Sequence, residues 1–149
     1  MRLGFRIVFF LCLADLLAVP GRAQATEARA LRAGFTLPAP DAADLEKRTD
    51  DEAAHVQLIG YYSHQPPGPE VERHRVAHIL WMVDNRPESL LFELATPAWK
   101  IFRQGDDTAA FDRARKLWVD HLAQGSKLVK LHAAAFLQLG DAGQAAELY

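Results

Sequence analysis

The run His74-Arg75-Val76-Ala77-His78 places two imidazoles one helical turn apart, a spacing at which both can reach one metal ion. The zinc-protease version of this pattern needs a glutamate directly after the first histidine as general base. Arg75 stands there instead, and its permanent charge opposes a bound cation. No third ligand lies close in sequence, although His55 and His64 are within reach through folding. The leading reading of His74 and His78 is therefore two polar groups on a helix face. Metal binding, or metal-assisted hydrolysis, is the alternative.

Other reactive residue types point the same way. Asp50-Asp51-Glu52 and Asp106-Asp107 stand where helices are expected to begin, and negative charge there stabilises exposed backbone amides. Ser63, Ser89 and Ser126 lie outside any G-x-S-x-G setting, and no G-x-G-x-x-G or phosphate-binding loop occurs. No catalytic, cofactor-binding or metal-ligating residue is assigned, no cofactor is expected, and the chain is read as non-enzymatic. Tyr61, Tyr62, Trp81, Trp99 and Trp118 recur at helical spacing among Leu, Ile and Val, which favours core positions over a ligand groove.

The elements that carry these residues are expected to be helices. Asp41 is placed to cap a short helix through Leu45 to Arg48, and Thr49-Asp50-Asp51-Glu52 has the form of a capping box. Ala53, Val56, Ile59 and Gly60 then make a stripe, widened by Leu58, Tyr61 and Tyr62. Three prolines and a glycine forbid helix over Ser63 to Glu70, and Pro69 suits the first turn of the next helix. That helix runs to about Val83, with Val71, His74, His78 and Trp81 on one stripe and Val76, Ile79, Leu80 and Val83 on another. It is therefore packed on two sides. A turn or short helix over Pro87 to Leu94, a helix begun by Thr96-Pro97 and stopped at Gly105-Asp106, and helices at Thr108 to Ala123 and Lys127 to Leu139 follow. A last helix starts at Gly143. Sustained alternation of polar and apolar residues is missing throughout, so the expected class is all-α without sheet.

The first 25 residues have the form of a secretory signal: Arg2 and Arg6, an apolar run from Ile7 to Val19, Pro20-Gly21, and Ala23-Gln24-Ala25 before a cut after Ala25. The run is short for a bilayer span of about 20 residues, so no stable membrane span is expected after cleavage. Residues 26–40 are read as a flexible leader, because the prolines of Thr36-Leu37-Pro38-Ala39-Pro40 resist helix. The single cysteine, Cys12, falls inside the signal, which removes disulfides and thiolate chemistry from the mature chain. Without Arg2, Arg6, Arg22 and Asp15 the balance is 14 basic to 18 acidic residues, or −4. That balance argues against nucleic acid and anionic membrane as partners, and the address is periplasmic or secreted.

A shift of 35 residues sets Ala98 on Ala133, Gly105-Asp106 on Gly140-Asp141, and Ala110 on Ala145. Small residues let helices approach, and glycine-aspartate turns the chain between them. On Val129, Ala133, Phe136, Gly140-Asp141, Ala145 and Tyr149 the chain resembles the tetratricopeptide repeat family, with His132 and Val129 departing from the family's leucine and tryptophan. The resemblance implies stacked antiparallel helical hairpins over residues 41–149, with the last repeat incomplete. It also implies a groove for a protein or peptide, with polar residues such as Gln57 and Lys100 as candidates to face it. An unfinished last hairpin leaves an apolar face, so self-association through it is expected, or a longer chain in which this segment is architectural.

Overall fold

The computed structural model describes residues 25–94, 108–123 and 125–137. Among them the structure is all-helical, with no strand. Helix α1 occupies residues 25–35, followed by α2 (Ala39–Leu45), α3 (Glu52–Ser63), α4 (Pro69–Asn85), a 3₁₀ turn (Leu90–Glu93), α5 (Thr108–Leu122) and α6 (Lys127–Leu137). The signal sequence apart from Ala25, the helix begun by Thr96-Pro97 and the segment after Leu137 lie outside the described residues.

Helix α1 overturns the reading of residues 26–40 as a flexible leader. The prolines act as expected, since the helix has ended by Leu37-Pro38, but the residues before them have a packing reason to be ordered. Leu31 is buried in the core, with Ala30 and Phe35 against it. Gly34 meets Gly60 of α3 where the two helices cross: a Cβ on Gly34 would overlap the Gln57 carbonyl oxygen, and one on Gly60 would overlap that of Leu31. The Phe35 ring then stacks on His64, with centroids 3.9 Å apart. Two glycines 26 positions apart in sequence carry no periodic signal, which is why this contact escapes a pattern-based reading.

Two helix starts also differ from expectation. Asp41 sits in the first turn of α2, whose N-cap is Pro38 in extended geometry. At α3 the cap is Asp51 rather than a Thr49–Glu52 box. Its carboxylate accepts from the amides of Ala53 at 2.9 Å and Ala54 at 3.2 Å, satisfying donors that have no partner within the helix. α2 and α3 are thus separate helices, and the turn between them places Glu46 and Thr49 beside α3.

α3 and α4, joined by residues 64–68, form the most extensively packed pair. Ile59, Met82 and Val83 are at most 1 % exposed, and Val76, Ile79 and Leu80 are buried with them, so α4 is packed on two sides as its pattern predicts. Ser89 caps the 3₁₀ turn by accepting from Leu91 N at 3.1 Å. α5 contributes Phe111, Ala114 and Trp118 to the core, and α6 contributes Val129, Ala133 and Phe136. Ala114 and Ala133 let those helices close up, and the rings of Phe111 and Phe136 stack at 4.8 Å. Burying a side chain of this size stabilises the fold by about 1.5–3 kcal/mol. Val129, Ala133 and Phe136 are therefore core residues. Ala98, Gly105-Asp106, Gly140-Asp141, Ala145 and Tyr149 lie outside the described residues.

Candidate functional site

The two histidines of the His74–His78 pair share one carboxylate. Glu46, in the turn after α2, lies with Oε1 3.3 Å from His74 Nδ1 and 3.2 Å from His78 Nε2. The Tyr62 hydroxyl donates to the same oxygen at 2.6 Å. Three elements converge here for local reasons. The short α2 leaves its turn over α3, Tyr62 projects from the last turn of α3, and the helical spacing of His74 and His78 turns both rings toward that turn. Tyr62 covers the two rings, stacking at 5.1 Å on His74 and 5.9 Å on His78.

Behind His78 lies His55 of α3. The two Nδ1 atoms are 2.9 Å apart, and His55 Nε2 faces the Thr49 carbonyl oxygen at 3.1 Å. His55 stacks face to face on Trp81, with centroids 3.8 Å apart and planes at 10°. Of the two further histidines named from sequence, His55 thus joins the pair, whereas His64 is held by Phe35. Among the described residues no group of three or more His, Cys, Asp or Glu side chains is arranged to hold a metal ion. The contacts at Glu46 are hydrogen bonds and ion pairs, with Tyr62 occupying part of the carboxylate's capacity.

The electrostatics follow from this geometry. Burial opposes the charge on Glu46, but the Tyr62 hydrogen bond and the neighbouring His78 and His74 outweigh it and hold the carboxyl below its ordinary value. Burial dominates at His78 and keeps its imidazole below the ordinary histidine value despite Glu46, with His55 and His74 adding to the shift. Burial and the adjacent Glu46 carboxylate raise the Tyr62 phenol. The cluster is therefore built around an ionised carboxylate and a neutral tyrosine.

Trp81 connects this cluster to a cleft between α4 and α5. The cleft has a volume of about 480 Å³, and Val76, Leu80, Trp81, Ala110 and Leu117 form its apolar wall. Arg73, Arg113 and Asp84 stand around it. A second cleft of about 580 Å³ is larger and more polar, bordered by Glu27, Glu52, Arg86, Ser89, Asp120 and His121. There Arg86 already binds Glu52 at 2.7 Å, and Ser89 donates to Glu27 at 3.0 Å. Asp120 there pairs with Lys116 at 2.8 Å, and the buried His121 Nε2 has no hydrogen-bond partner among the described residues.

The remaining residues named from sequence have local roles. Ser63 Oγ donates to the Ile59 carbonyl, and Ser126 Oγ accepts from Val129 N. Asp51 is a cap, while Asp106-Asp107 lie outside the described residues. Gln57 stands where α1 crosses α3, with its carbonyl against Gly34, and Lys100 and Trp99 are outside the described residues. Trp118 is core at 2 % exposure, whereas Tyr61, Tyr62 and Trp81 are half-buried. The Glu46 carboxylate is the member that sequence reasoning missed. It lies 28 positions before His74, and only its place just after a short capped helix hinted that it would be held near a neighbouring helix.

No protein-family model, curated protein or solved structure matches the chain. Among the described residues no helix is long and apolar enough to cross a membrane.

Proposed function

We propose that the chain is a non-enzymatic helical scaffold that binds a protein or peptide segment in an exported compartment, and that the segment lies in the α4–α5 cleft. The observation that carries this reading is the cleft itself: an apolar wall containing the half-buried Trp81, bordered by two arginines and one aspartate. Its volume falls in the range of pockets that enclose a small ligand or one or two large side chains. Aromatic and arginine side chains are the residue types that anchor protein partners most strongly. Arg73 on the rim is already ion-paired with Glu70 at 2.7 Å, so Arg113 is the cation proposed to meet acidic side chains that flank the segment's apolar anchor. The stacked-hairpin superhelix implied by the repeat spacing would extend this cleft along successive hairpins. The placement of Ser63, Ser89 and Ser126 in capping or packing bonds supports the non-enzymatic reading.

The test is fluorescence anisotropy with labelled ten-residue peptides that carry a leucine or phenylalanine anchor flanked by glutamates, against the same anchors flanked by lysines. Preference for the acidic set, weakened about 2–5-fold by Arg113→Glu, is the expected result, since an exposed charge pair contributes about 1 kcal/mol or less. Equal binding of both sets, or binding indifferent to Arg113→Glu and to Leu117→Glu, would overturn it.

A further inference from the structure

The contacts running from Thr49 to Glu46 can be counted in protons. Three of them need one hydrogen each: Thr49 O to His55 Nε2, His55 Nδ1 to His78 Nδ1, and His78 Nε2 to Glu46 Oε1. Two neutral imidazoles supply two hydrogens, and one added proton supplies the third. With both rings protonated there are four ring N–H groups for three contacts. Two of them then point at each other across 2.9 Å, a contact that cannot persist between two cations.

The surroundings decide which ring gives way. His78 is tied to Glu46, which Tyr62 and His74 also hold, whereas the outward nitrogen of His55 meets only the Thr49 carbonyl. His55 is the ring with fewer polar tethers, and its face is stacked on Trp81. Trp81 follows His78 by three residues on α4, so His55 cannot leave His78 without changing its contact with the indole. The titratable groups facing this point are Glu46 from the α2–α3 turn, His55, Tyr61 and Tyr62 from α3, and Glu70, His74 and His78 from α4. Arg73, Asp84 and Arg113 stand with Trp81 around the cleft.

We propose that the His55–His78 pair is an acid-operated latch on the α4–α5 cleft: with at most one shared extra proton it holds Trp81 in place, and protonation of both rings releases the indole and opens the cleft wall. The function of this latch rests on the peptide-binding reading of the cleft, and its regulatory consequence is release of the bound segment on acidification. The structural event itself occurs without a ligand. A failure of peptide binding and a failure of the latch are therefore separable.

The experiment is fluorine NMR of the full chain labelled with 5-fluorotryptophan, with the Trp81 and Trp118 signals assigned by loss in Trp81→Phe and Trp118→Phe. As the pH is lowered from 7.5 to the onset of global unfolding, the Trp81 signal shifts in a transition that precedes any change at the core residue Trp118, and the transition disappears in His78→Gln and in His55→Phe. A Trp81 signal that stays constant over this range would overturn the latch. So would one that moves only together with Trp118, because the event is then global unfolding, or one whose transition survives in a folded His78→Gln variant. Should neither histidine variant fold, the wild-type comparison of Trp81 with Trp118 still decides, together with the long-range nitrogen–proton correlations of the His55 and His78 rings. Four ring N–H groups after the Trp81 transition support the latch, and three contradict it.

Discussion

His55 Nδ1 lies 2.9 Å from His78 Nδ1, so two rings from different helices share a contact that one hydrogen satisfies and two destroy. That pairing ties α3 to α4 beside the indole that lines the cleft, and it makes the interior of the hairpin responsive to acid.

Stability is expected to fall as the solution is acidified from neutrality. His78 and Glu46 both have folded values below their ordinary ones of 6.5 and 4.5, so at these two groups the unfolded chain binds more protons than the folded one, whereas Glu27, raised by burial, acts in the opposite sense and offsets part of the acid end. The contribution of His78 and Glu46 is fully present above about pH 6.5. It is lost first as pH falls through the lowered His78 value, and then further as pH falls through that of Glu46. Urea unfolding at pH 7.5, 6, 5 and 4 checks this, and a stability that is level or rising down to pH 4 would contradict it.

Tyr62 donates to a carboxylate that two histidines also hold, so Tyr62→Phe removes a charge-assisted bond and leaves the ring stack. The expected loss is about 1.5 kcal/mol, at the low end for bonds to charged groups because both partners are partly solvated. Losing this donor also raises the Glu46 carboxyl toward its ordinary value, since the Tyr62 bond is among the causes that lower it. Chemical denaturation and a carbon-13 titration of Glu46 measure the two effects.

At the α1–α3 crossing, Gly60→Ala decides whether α1 belongs to the fold. In an open helix this change gains about 0.5–1 kcal/mol. Here the added methyl meets the backbone of Leu31, which cannot rotate away, and overpacking of this kind costs about 1–3 kcal/mol. The clash wins, and thermal unfolding should show a lower Tm. A raised Tm would mean that α1 is not seated on α3.

The helices and the two-sided packing of α4 were legible because each is written in residues three or four apart. The α3–α4 connector was legible because proline and glycine act locally. The Gly34–Gly60 crossing and the Glu46 cluster were not, since both join residues far apart in sequence whose types are individually ordinary. The capping of α3 was half legible: an acidic run marks the helix start, but Thr49 and Asp51 are both able to cap, and the backbone entering from Arg48 decides between them.

That choice has its own test. Asp51→Ala should cost about 1 kcal/mol by leaving the amides of Ala53 and Ala54 without their acceptor, whereas Thr49→Ala, whose carbonyl and not its hydroxyl meets His55, should change stability by under about 0.5 kcal/mol. Equal losses in the two variants would restore the Thr49–Glu52 box.

Whether the α4–α5 cleft receives a peptide is tested by a nitrogen-15 correlation spectrum of the chain during titration with the acidic, leucine-anchored peptide. Shifts are expected to concentrate at Arg73, Val76, Ala77, Leu80, Trp81, Arg113 and Leu117, with the α1–α3 crossing undisturbed. Shifts scattered over the surface, centred on the cleft bordered by Glu27 and Arg86, or absent at millimolar peptide would contradict it.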